Sequence, residues 1–424
     1  MSKHQHEAAA PVPVHFFSTG TKIMFGIMLA GLAAYAYRLI AGIGAATNLD
    51  NQYPWGIWIA VDVASGVALA AGGFTTAALA DIFHKEKYHV IVRPALLTAM
   101  LGYTFVVIGL LADLGRYYNV WHPMLPSMWQ GNSVLFEVGM CVMIYLTVLY
   151  IEFLPIVVER FKGRVNLPGP LRIFNRLIEA WLDVCELYLS RFISVFIIAG
   201  VVLSCLHQSS LGTLMLIAPT KMHPLWYTPI SPLLFLMSAI SVGFPMVIFE
   251  SILASKSFKL KPELPVLSSI ARYTPVLLGA YLAVKIGDLT LRDAWSYVFA
   301  GDVESFMYII ELTLGVLLPV VLLSIPKVRH SVKGLFISAT LVILGVALNR
   351  IDVFLVAYEP LYPVKTYYPS IYEVMVTLGL ISALVLVYRF VVLNFPVISG
   401  GGQNGKAGGK VDVAPVEASA YKAR

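Results

Sequence analysis

The chain has 424 residues, of which 58% are hydrophobic and 13% charged, with a mean hydropathy of +0.78 and a formal net charge of +6. Soluble domains carry roughly 25% charged residues, so this composition excludes a large water-soluble core and indicates an all-α polytopic membrane protein. The positive charge calls for no nucleic-acid partner, because its placement along the chain is explained by a bilayer, with some attraction to anionic lipid.

Residues 1–20 are polar and lack the basic start and short apolar run of a signal peptide, so the apolar stretch at 21–42 reads as a retained span. Nine more follow at 54–83, 90–113, 131–158, 189–207, 230–254, 268–287, 303–325, 333–356 and 371–395. Each is near or above the ~20 residues that cross a hydrocarbon core. The fifth is short and interrupted by Ser204, and the seventh carries Lys285 close to its end. Between the fourth and fifth, Pro168-Gly169-Pro170 precedes an amphipathic run at 171–189 in which Arg172, Arg176, Glu179 and Asp183 interleave with apolar residues. That pattern predicts a helix lying in the cytoplasmic interface. From Ser399 the chain is rich in Gly, Lys and Ala, which predicts a disordered tail at 399–424.

The expected organisation is a cytoplasmic segment at 1–20, a first span and loop at 21–53, four-helix bundles at 54–228 and 229–358, and a last loop and span at 359–398. A spacing echo suggests the two bundles. Asp113 ends the third span and Glu137 follows 24 residues later, while Asp288 ends the seventh and Glu311 follows 23 later.

Ten spans return both termini to one side. That side holds 23 of the 30 Lys and Arg residues and the other keeps seven. Short cytoplasmic loops are enriched in Lys and Arg, so the basic side is the cytoplasm and the expected location is a bacterial inner membrane. The opposite loops, 114–131, 208–229 and 357–370, are long and rich in Trp, Tyr, Pro and His. Interfacial belts account for single aromatics, but three such loops on one face predict docking of an extrinsic periplasmic partner. Cys141, Cys185 and Cys205 show no CxxC spacing and read as buried apolar thiols, not as ligands of iron–sulfur or zinc.

Ionisable groups within spans are costly and are therefore candidates for function. At 1.5 Å per residue, Asp62 lies ~12 Å and Glu137 ~9 Å below the periplasmic rim, in one layer with Asp113, Arg116, His207, Lys285, Asp288 and Glu311. Nearer the cytoplasm come Asp81, Arg93, Glu152, Glu159 and Glu250, with Tyr103 between the layers; Glu152 and Glu159 are expected to be solvated. The plainer alternative is helix–helix attachment, with Asp113 paired to Arg116 and Lys285 to Asp288. Asp62 and Glu137 have no basic residue one turn away in their own helices.

A b-type haem needs a facing pair of histidines deep in the spans. Eight of the nine histidines fall in tails, loops or span ends, and only His207 reaches into a span, so haem is not expected. No P-loop, Rossmann glycine run or nucleophile elbow is present. Quinone chemistry fits this residue set. Two electrons move with two protons, the lipid tail enters between helices, and the protein supplies only position and proton exchange. The electrons then have to arrive from a partner on the periplasmic face.

Several segments carry a family resemblance. Tyr53-Pro-Trp-Gly-Ile-Trp-Ile-Ala-Val-Asp62, Val92-Arg-Pro-Ala-Leu96, Asp113-Leu-Gly-Arg-Tyr-Tyr-Asn119 and Asn132-Ser-Val-Leu-Phe-Glu137 resemble the membrane subunit of Hyb-type (hydrogenase-2) nickel–iron hydrogenases. So do His207-Gln-Ser-Ser-Leu-Gly212, His223-Pro-Leu-Trp226, Val247-Ile-Phe-Glu250, Phe299-Ala-Gly-Asp302 and Thr366-Tyr-Tyr-Pro369. That subunit belongs to the polysulfide-reductase, NrfD-like family. The resemblance runs from about residue 50 to 370. It implies a haem-free, quinone-reactive subunit without an iron–sulfur cluster of its own, bound to a periplasmic ferredoxin-like iron–sulfur protein and through it to the small and large hydrogenase subunits. Hydrogen activation would then belong to those partners. It also implies quinone or proton handling by Asp62, Arg93, Tyr103, Glu137 and Glu250.

The expected chemistry is reduction of menaquinone or another quinone near the periplasmic rim. Asp62, Glu137 and His207 would border the ring and exchange protons, Trp55, Asp113 and Arg116 would shape the pocket and its mouth, and Gln208 and Ser209 would donate hydrogen bonds. Arg93, Tyr103 and Glu250 would lead protons from the cytoplasm. Two other classes remain open. A secondary transporter with parallel repeats would need broken helices at matching places in both halves. A purely structural anchor for a hydrogenase would leave the acidic layer without a role.

Overall fold

A computed structural model describes residues 9–399. The first eight residues, and the tail expected to be disordered from 400 onward, lie outside the described residues. Ten helices are long and apolar enough to cross a membrane: Thr19–Ala41, Trp58–Ile82, Glu86–Asp113, Val134–Phe161, Gly169–Ile217, Ser231–Phe258, Leu264–Leu291, Val303–Ser324, Val332–Val356 and Ile371–Asn394. They coincide with the ten apolar stretches of the sequence. The protein is an all-α, multi-pass membrane protein, and among the described residues β structure is limited to two isolated bridges.

Spans two to five pack in succession, as do spans six to nine, and spans five and two both lie against span six. Spans one and ten form a separate pair leaning on span three. Small residues set the closest crossings. A Cβ placed on Gly31 would meet Gly379 Cα at 2.5 Å, and one on Gly315 would meet Gly345 Cα at 2.5 Å. Such contacts let apolar helices associate where lipid removes the hydrophobic drive. Serine N-caps, Ser18, Ser133, Ser331 and Ser370, start four of the spans.

The chain ends on the face of the basic loops. There Ala9 bridges Ser399, Val12 N donates to Val392 O at 3.2 Å, and Arg389 donates to the carbonyls of His15 and Phe16 at 2.6 and 3.0 Å. On the opposite, aromatic face, loops 214–230 and 357–370 are tied together. Met222 bridges Tyr358, and His223 N donates to Ala357 O at 2.8 Å.

The fifth span departs from expectation. Asn175–Thr213 is one helix of 39 residues, ~58 Å long at 1.5 Å per residue, so the amphipathic run is no separate interfacial helix. Nothing in 175–213 breaks the helix, and side chains prop its first half against the fourth span. Leu182 and Leu189 pack with Val158, Glu179 accepts from the amides of Gly163 and Val165 at 3.1 Å each, and Lys162 pairs with Asp183 at 2.9 Å and with Glu186.

The second span is not a plain α-helix. Trp58–Ser65 and Ala78–Ile82 are π-helical, and the helix is interrupted at Ala70 and Ala71. Ala71 N turns back to Ala68 O at 3.2 Å, which leaves the Val67 carbonyl without its partner one turn on. Gln208 Nε2 donates to that carbonyl at 2.8 Å. A bare carbonyl inside a bilayer costs several kcal/mol, roughly, so Gln208 repairs the break. The sixth span, Ser231–Phe258, is continuous through Pro245 and shows no matching interruption, unlike the paired breaks a repeat-built transporter uses.

Candidate functional site

Two groups of polar side chains occupy the region of spans one to five and ten. The first lies towards the aromatic face. The π-helical turn carries Asp62, whose Oδ2 accepts from Thr377 Oγ1 of span ten at 2.6 Å. Span three makes room for it at Gly109, where a Cβ would sit 2.8 Å from Asp62 Cβ. Trp55, half-buried just before this turn, meets the ring of Phe354 edge-on at 6.0 Å. The adjoining backbone is locked by span ten. Tyr367 Oη donates to Glu373 Oε1 at 2.5 Å and accepts from Ile57 N at 3.0 Å, and Trp58 Nε1 donates to the Glu373 carbonyl at 3.2 Å. Burial and the Glu373 carboxylate hold the Tyr367 phenol protonated far above its usual range, so it serves as a fixed donor.

Asp113 ends span three with Oδ1 buried and unpartnered. Its expected partner, Arg116, is exposed in the following loop instead. The basic group that reaches this helix end is Arg38 of span one, only 1% exposed, donating to the carbonyls of Ala112 and Leu114 at 2.5 and 2.6 Å and interacting electrostatically with Asp113. A guanidinium here satisfies helix-end carbonyls and opposes the negative end of the helix dipole.

The second group lies deeper, between spans three, four and five. Tyr103, fully buried, meets Tyr145 edge-on at 4.6 Å and the His207 ring at 5.6 Å. No short, well-aligned hydrogen bond reaches either ring nitrogen of His207 or the hydroxyls of Tyr103 and Ser204, although all three residues are buried; the backbone of Val138 lies near the imidazole and Ser204 near the Tyr103 phenol. Buried polar groups are nearly always satisfied, so an unpartnered set of this kind signals a functional interior. Ser209, half-buried, follows Gln208 on the same helix.

Glu137 does not join either group. It is exposed in the first turn of span four. No hydrogen bond or ion pair among the described residues links Asp62, Glu137 and His207 to one another. The residues expected to lead protons are also dispersed. Arg93 pairs with Glu159 at 2.7 Å and donates to Pro396 O at 2.9 Å on the basic-loop face. Glu250 and Tyr388 line a cavity that opens past Lys261 and Glu263 on the same face. Glu159 is solvated as expected, but Glu152 is half-buried against Gly200, with Oε1 unpartnered.

Spans six to nine hold a different arrangement. Lys285 pairs with Glu311, not with Asp288, because the two side chains face each other across spans seven and eight. Lys285 also donates to Tyr281 Oη at 3.3 Å, and Trp226 Nε1 donates to Glu311 at 3.0 Å. Asp288 instead takes Arg292 at 2.7 Å and Thr228 Oγ1 at 2.6 Å. Arg350 donates to Ser238 at 2.8 Å and lies 3.8 Å above the Phe235 ring.

Sequence reading missed Arg38, Thr377, Glu373, Tyr367 and the depth of Glu152. An arginine inside an apolar span was a visible signal for Arg38. Thr377, Tyr367 and Glu373 act through contacts more than 300 residues apart in sequence, as in the 315-residue separation of Asp62 and Thr377, and Glu152 through the neighbouring fifth span, and no local pattern encodes either. Of the seven histidines among the described residues, only His207 is buried within a span; His223, also buried, sits in a loop with Nδ1 accepting from Leu225 N. No group of three or more His, Cys, Asp or Glu among the described residues is arranged to hold a metal ion.

The chain is 33% identical to the probable Ni/Fe-hydrogenase 2 b-type cytochrome subunit of Escherichia coli (strain K12) over 364 residues, 85% of this chain and 88% of that protein. It is 38% identical to a protein of Nitratidesulfovibrio vulgaris (strain Hildenborough) over 390 residues, 90% of this chain and 95% of that one. It is 26% identical to the menaquinone reductase, integral membrane subunit of the same organism, with 77% and 78% of the two chains covered. The family model described as polysulphide reductase, NrfD, matches residues 45–359, which take in Asp62, Asp113, the deeper polar group and the paired interior of spans six to nine, but not Arg38, Tyr367, Glu373 or Thr377. The protein therefore belongs to the NrfD polysulphide reductase family of membrane subunits.

Proposed function

We propose that this chain is the quinone-reactive membrane subunit of a periplasm-facing nickel–iron hydrogenase complex. Electrons from hydrogen reach it through a ferredoxin-like iron–sulfur subunit docked on the aromatic face and leave on menaquinone or another quinone. The observation that carries this reading is the buried, unpartnered set of Tyr103, Ser204 and His207 inside a family member similar to subunits named for hydrogenase and menaquinone reductase. In this reading the protein lies in the bacterial inner membrane with its basic loops and both termini in the cytoplasm.

Haem does not fit the donor set. A b-type haem takes two facing ligands within the bilayer, and His207 has no second buried histidine in any described span. Electron delivery is therefore assigned to the partner, and this chain supplies position and proton exchange. Exposed Tyr118, Trp121, Trp129, Tyr362 and Tyr368 give that partner an aromatic platform, the last two on a loop tied to 214–230.

The quinone ring is placed towards the aromatic face of spans two to five. Asp62, held by Thr377, and His207 border it, and Glu137 stands at the lipid-facing mouth through which an isoprenoid-tailed molecule enters. Trp55, Asp113 and Arg116 shape the approach, Ser209 offers a hydroxyl, and Gln208 keeps the broken helix of span two in shape. Reduction adds two electrons and two protons, so carboxyl and imidazole groups near the ring oxygens determine the rate.

The test is Asp62→Asn in the intact complex. Hydrogen uptake with quinone should fall about 100-fold or more, as for loss of a positioned proton-exchanging group, while uptake with an artificial dye stays intact. Equal loss of both activities contradicts the reading and points to assembly.

A further inference from the structure

The fifth span presents a polar ladder to the bundle interior. Gly200, Ser204, His207 and Gln208 are all buried on one face of the helix. At 1.5 Å per residue, Gly200 lies ~10 Å from His207 along the axis. At the lower end of this ladder Glu152, from span four, lays its carboxyl over Gly200, in the space a Cβ would fill. Its Oε1 is buried without a partner. Two turns along the same helix stands Tyr145, fully buried, against Tyr103. The Ser204 hydroxyl lies close enough to both phenols to interact with each, with no short, well-aligned hydrogen bond to either. Hydroxyls placed in this way can accept a proton from one neighbour and donate to the next.

Below Glu152 the chain of ionisable groups continues to the surface. Asp81, in the π-helical end of span two, interacts electrostatically with Glu152. Its Oδ1 is 3.7 Å from His89 Nδ1, and that histidine is 44% exposed on the basic-loop face. Arg93 and Glu250, in contrast, have no contact with Tyr103 or His207 among the described residues.

Resting on the quinone reading above, we propose that Glu152 is the proton-delivering residue of this site, filled from the basic-loop face through His89 and Asp81 and emptied through Ser204, Tyr145 and Tyr103 towards His207. Each turnover joins one quinone, two electrons from the iron–sulfur partner and two protons to give one quinol. Each proton leaves the Glu152 carboxyl by way of the hydroxyls to a ring oxygen, and the resulting carboxylate is reprotonated from Asp81 and His89, which draw on water. Glu152 acts at a distance from the ring and is no ligand of it.

The experiment uses the intact complex in membrane vesicles, comparing hydrogen uptake with a menaquinone analogue and with a dye. Glu152→Gln should lower the quinone rate about 100-fold, at the low end for a positioned proton donor, with a solvent deuterium isotope effect on the residual turnover. Glu152→Asp should recover part of the rate. Gly200→Ala gives a second, gentler variant. Its new methyl meets only the mobile end of Glu152 and an ordinary contact with Val148, so it displaces the carboxyl and leaves the helix packing in place. The quinone rate should fall here too, by about tenfold, with the dye rate unchanged. If Glu152→Gln fails to assemble, Gly200→Ala and Glu152→Asp decide. Wild-type quinone rates in the variants overturn the proposal while leaving the quinone reading intact, whereas a wild-type complex that reduces dye but no quinone overturns that reading itself.

Discussion

Spans two to five and spans six to nine both bury polar groups, and they differ in how they treat the charged ones. In the later set, Lys285–Glu311, Asp288–Arg292 and Arg350–Ser238 are paired and hydrogen-bonded, with Trp226, Thr228 and Tyr281 taking up further valences. That set also holds buried atoms without a partner, on Glu250, Thr274, Tyr308, Ser338 and, at the seam with span two, Asp352, so the contrast lies in its charge pairs. In the earlier set, Tyr103, Ser204, His207 and Glu152 include no ion pair and have unpartnered atoms. A paired charge in lipid holds helices in register and has little freedom to exchange protons. An unpartnered one is costly to keep unless chemistry uses it. The contrast separates scaffold from site within a single chain.

The contrast is broken most forcefully at Lys285. Lys285→Met strands the Glu311 carboxylate inside the bundle and should lower stability by about 3–5 kcal/mol, read as a lower unfolding temperature of the purified complex. The double replacement Lys285→Met with Glu311→Met should recover most of that loss. If the single variant is as stable as the wild type, the later set is not held by its pair.

Arg38→Met should cost less, about 1–3 kcal/mol, because it frees the carbonyls of Ala112 and Leu114. Arg38→Lys should rescue only in part, since an ammonium cannot reproduce a planar fork across two carbonyls. Hydrogen exchange at the end of span three reads this directly, and unchanged protection there in Arg38→Met contradicts the capping role.

Thr377→Val removes one hydrogen bond from Asp62, a change of about 1 kcal/mol that should alter the quinone-linked rate severalfold and leave folding unaffected. A change in stability without a change in rate would move Asp62 into the scaffold.

The smallest effect lies outside the bilayer. The exposed Asp302 carboxylate accepts from the backbone N–H of Ser305 at 2.8 Å, the Ser305 hydroxyl donates to the Asp302 carbonyl at 2.9 Å, and contact with Ser305 holds the carboxyl below its ordinary value of 3.8. Its contribution is therefore fully present above that value and is lost as pH falls through the lower folded-state value. Asp302→Asn should abolish this acid-side loss at the start of span eight, as measured by exchange of the Ser305 amide, and persistence of the loss assigns it elsewhere.

The ten spans and the basic face were legible because apolar length and loop charge are local properties. Asp62, Glu137 and His207 were legible as ionisable groups in or at the ends of spans, but their neighbours were not, and His207 packs with Tyr103 instead of sharing a layer with Asp62. Asp113 and Arg116 are close in sequence and part in space, because Arg38 from another helix takes the helix end. Lys285 finds Glu311 across a helix pair, not Asp288 one turn on. The run at 171–189 continues into the fifth span as one helix, a continuity that periodicity does not encode, with Leu182 and Leu189 against the fourth span and Leu177, Trp181, Val184 and Leu187 exposed. Only packing reveals that Glu152 is covered by a glycine.

The most direct test of the account is a structure of the intact complex with a quinone bound. The headgroup should lie within hydrogen-bond reach of Asp62 or His207, on the aromatic side of Tyr103. A headgroup against the basic loops, or among Tyr281, Glu311 and Asn349 of the later set, would contradict it.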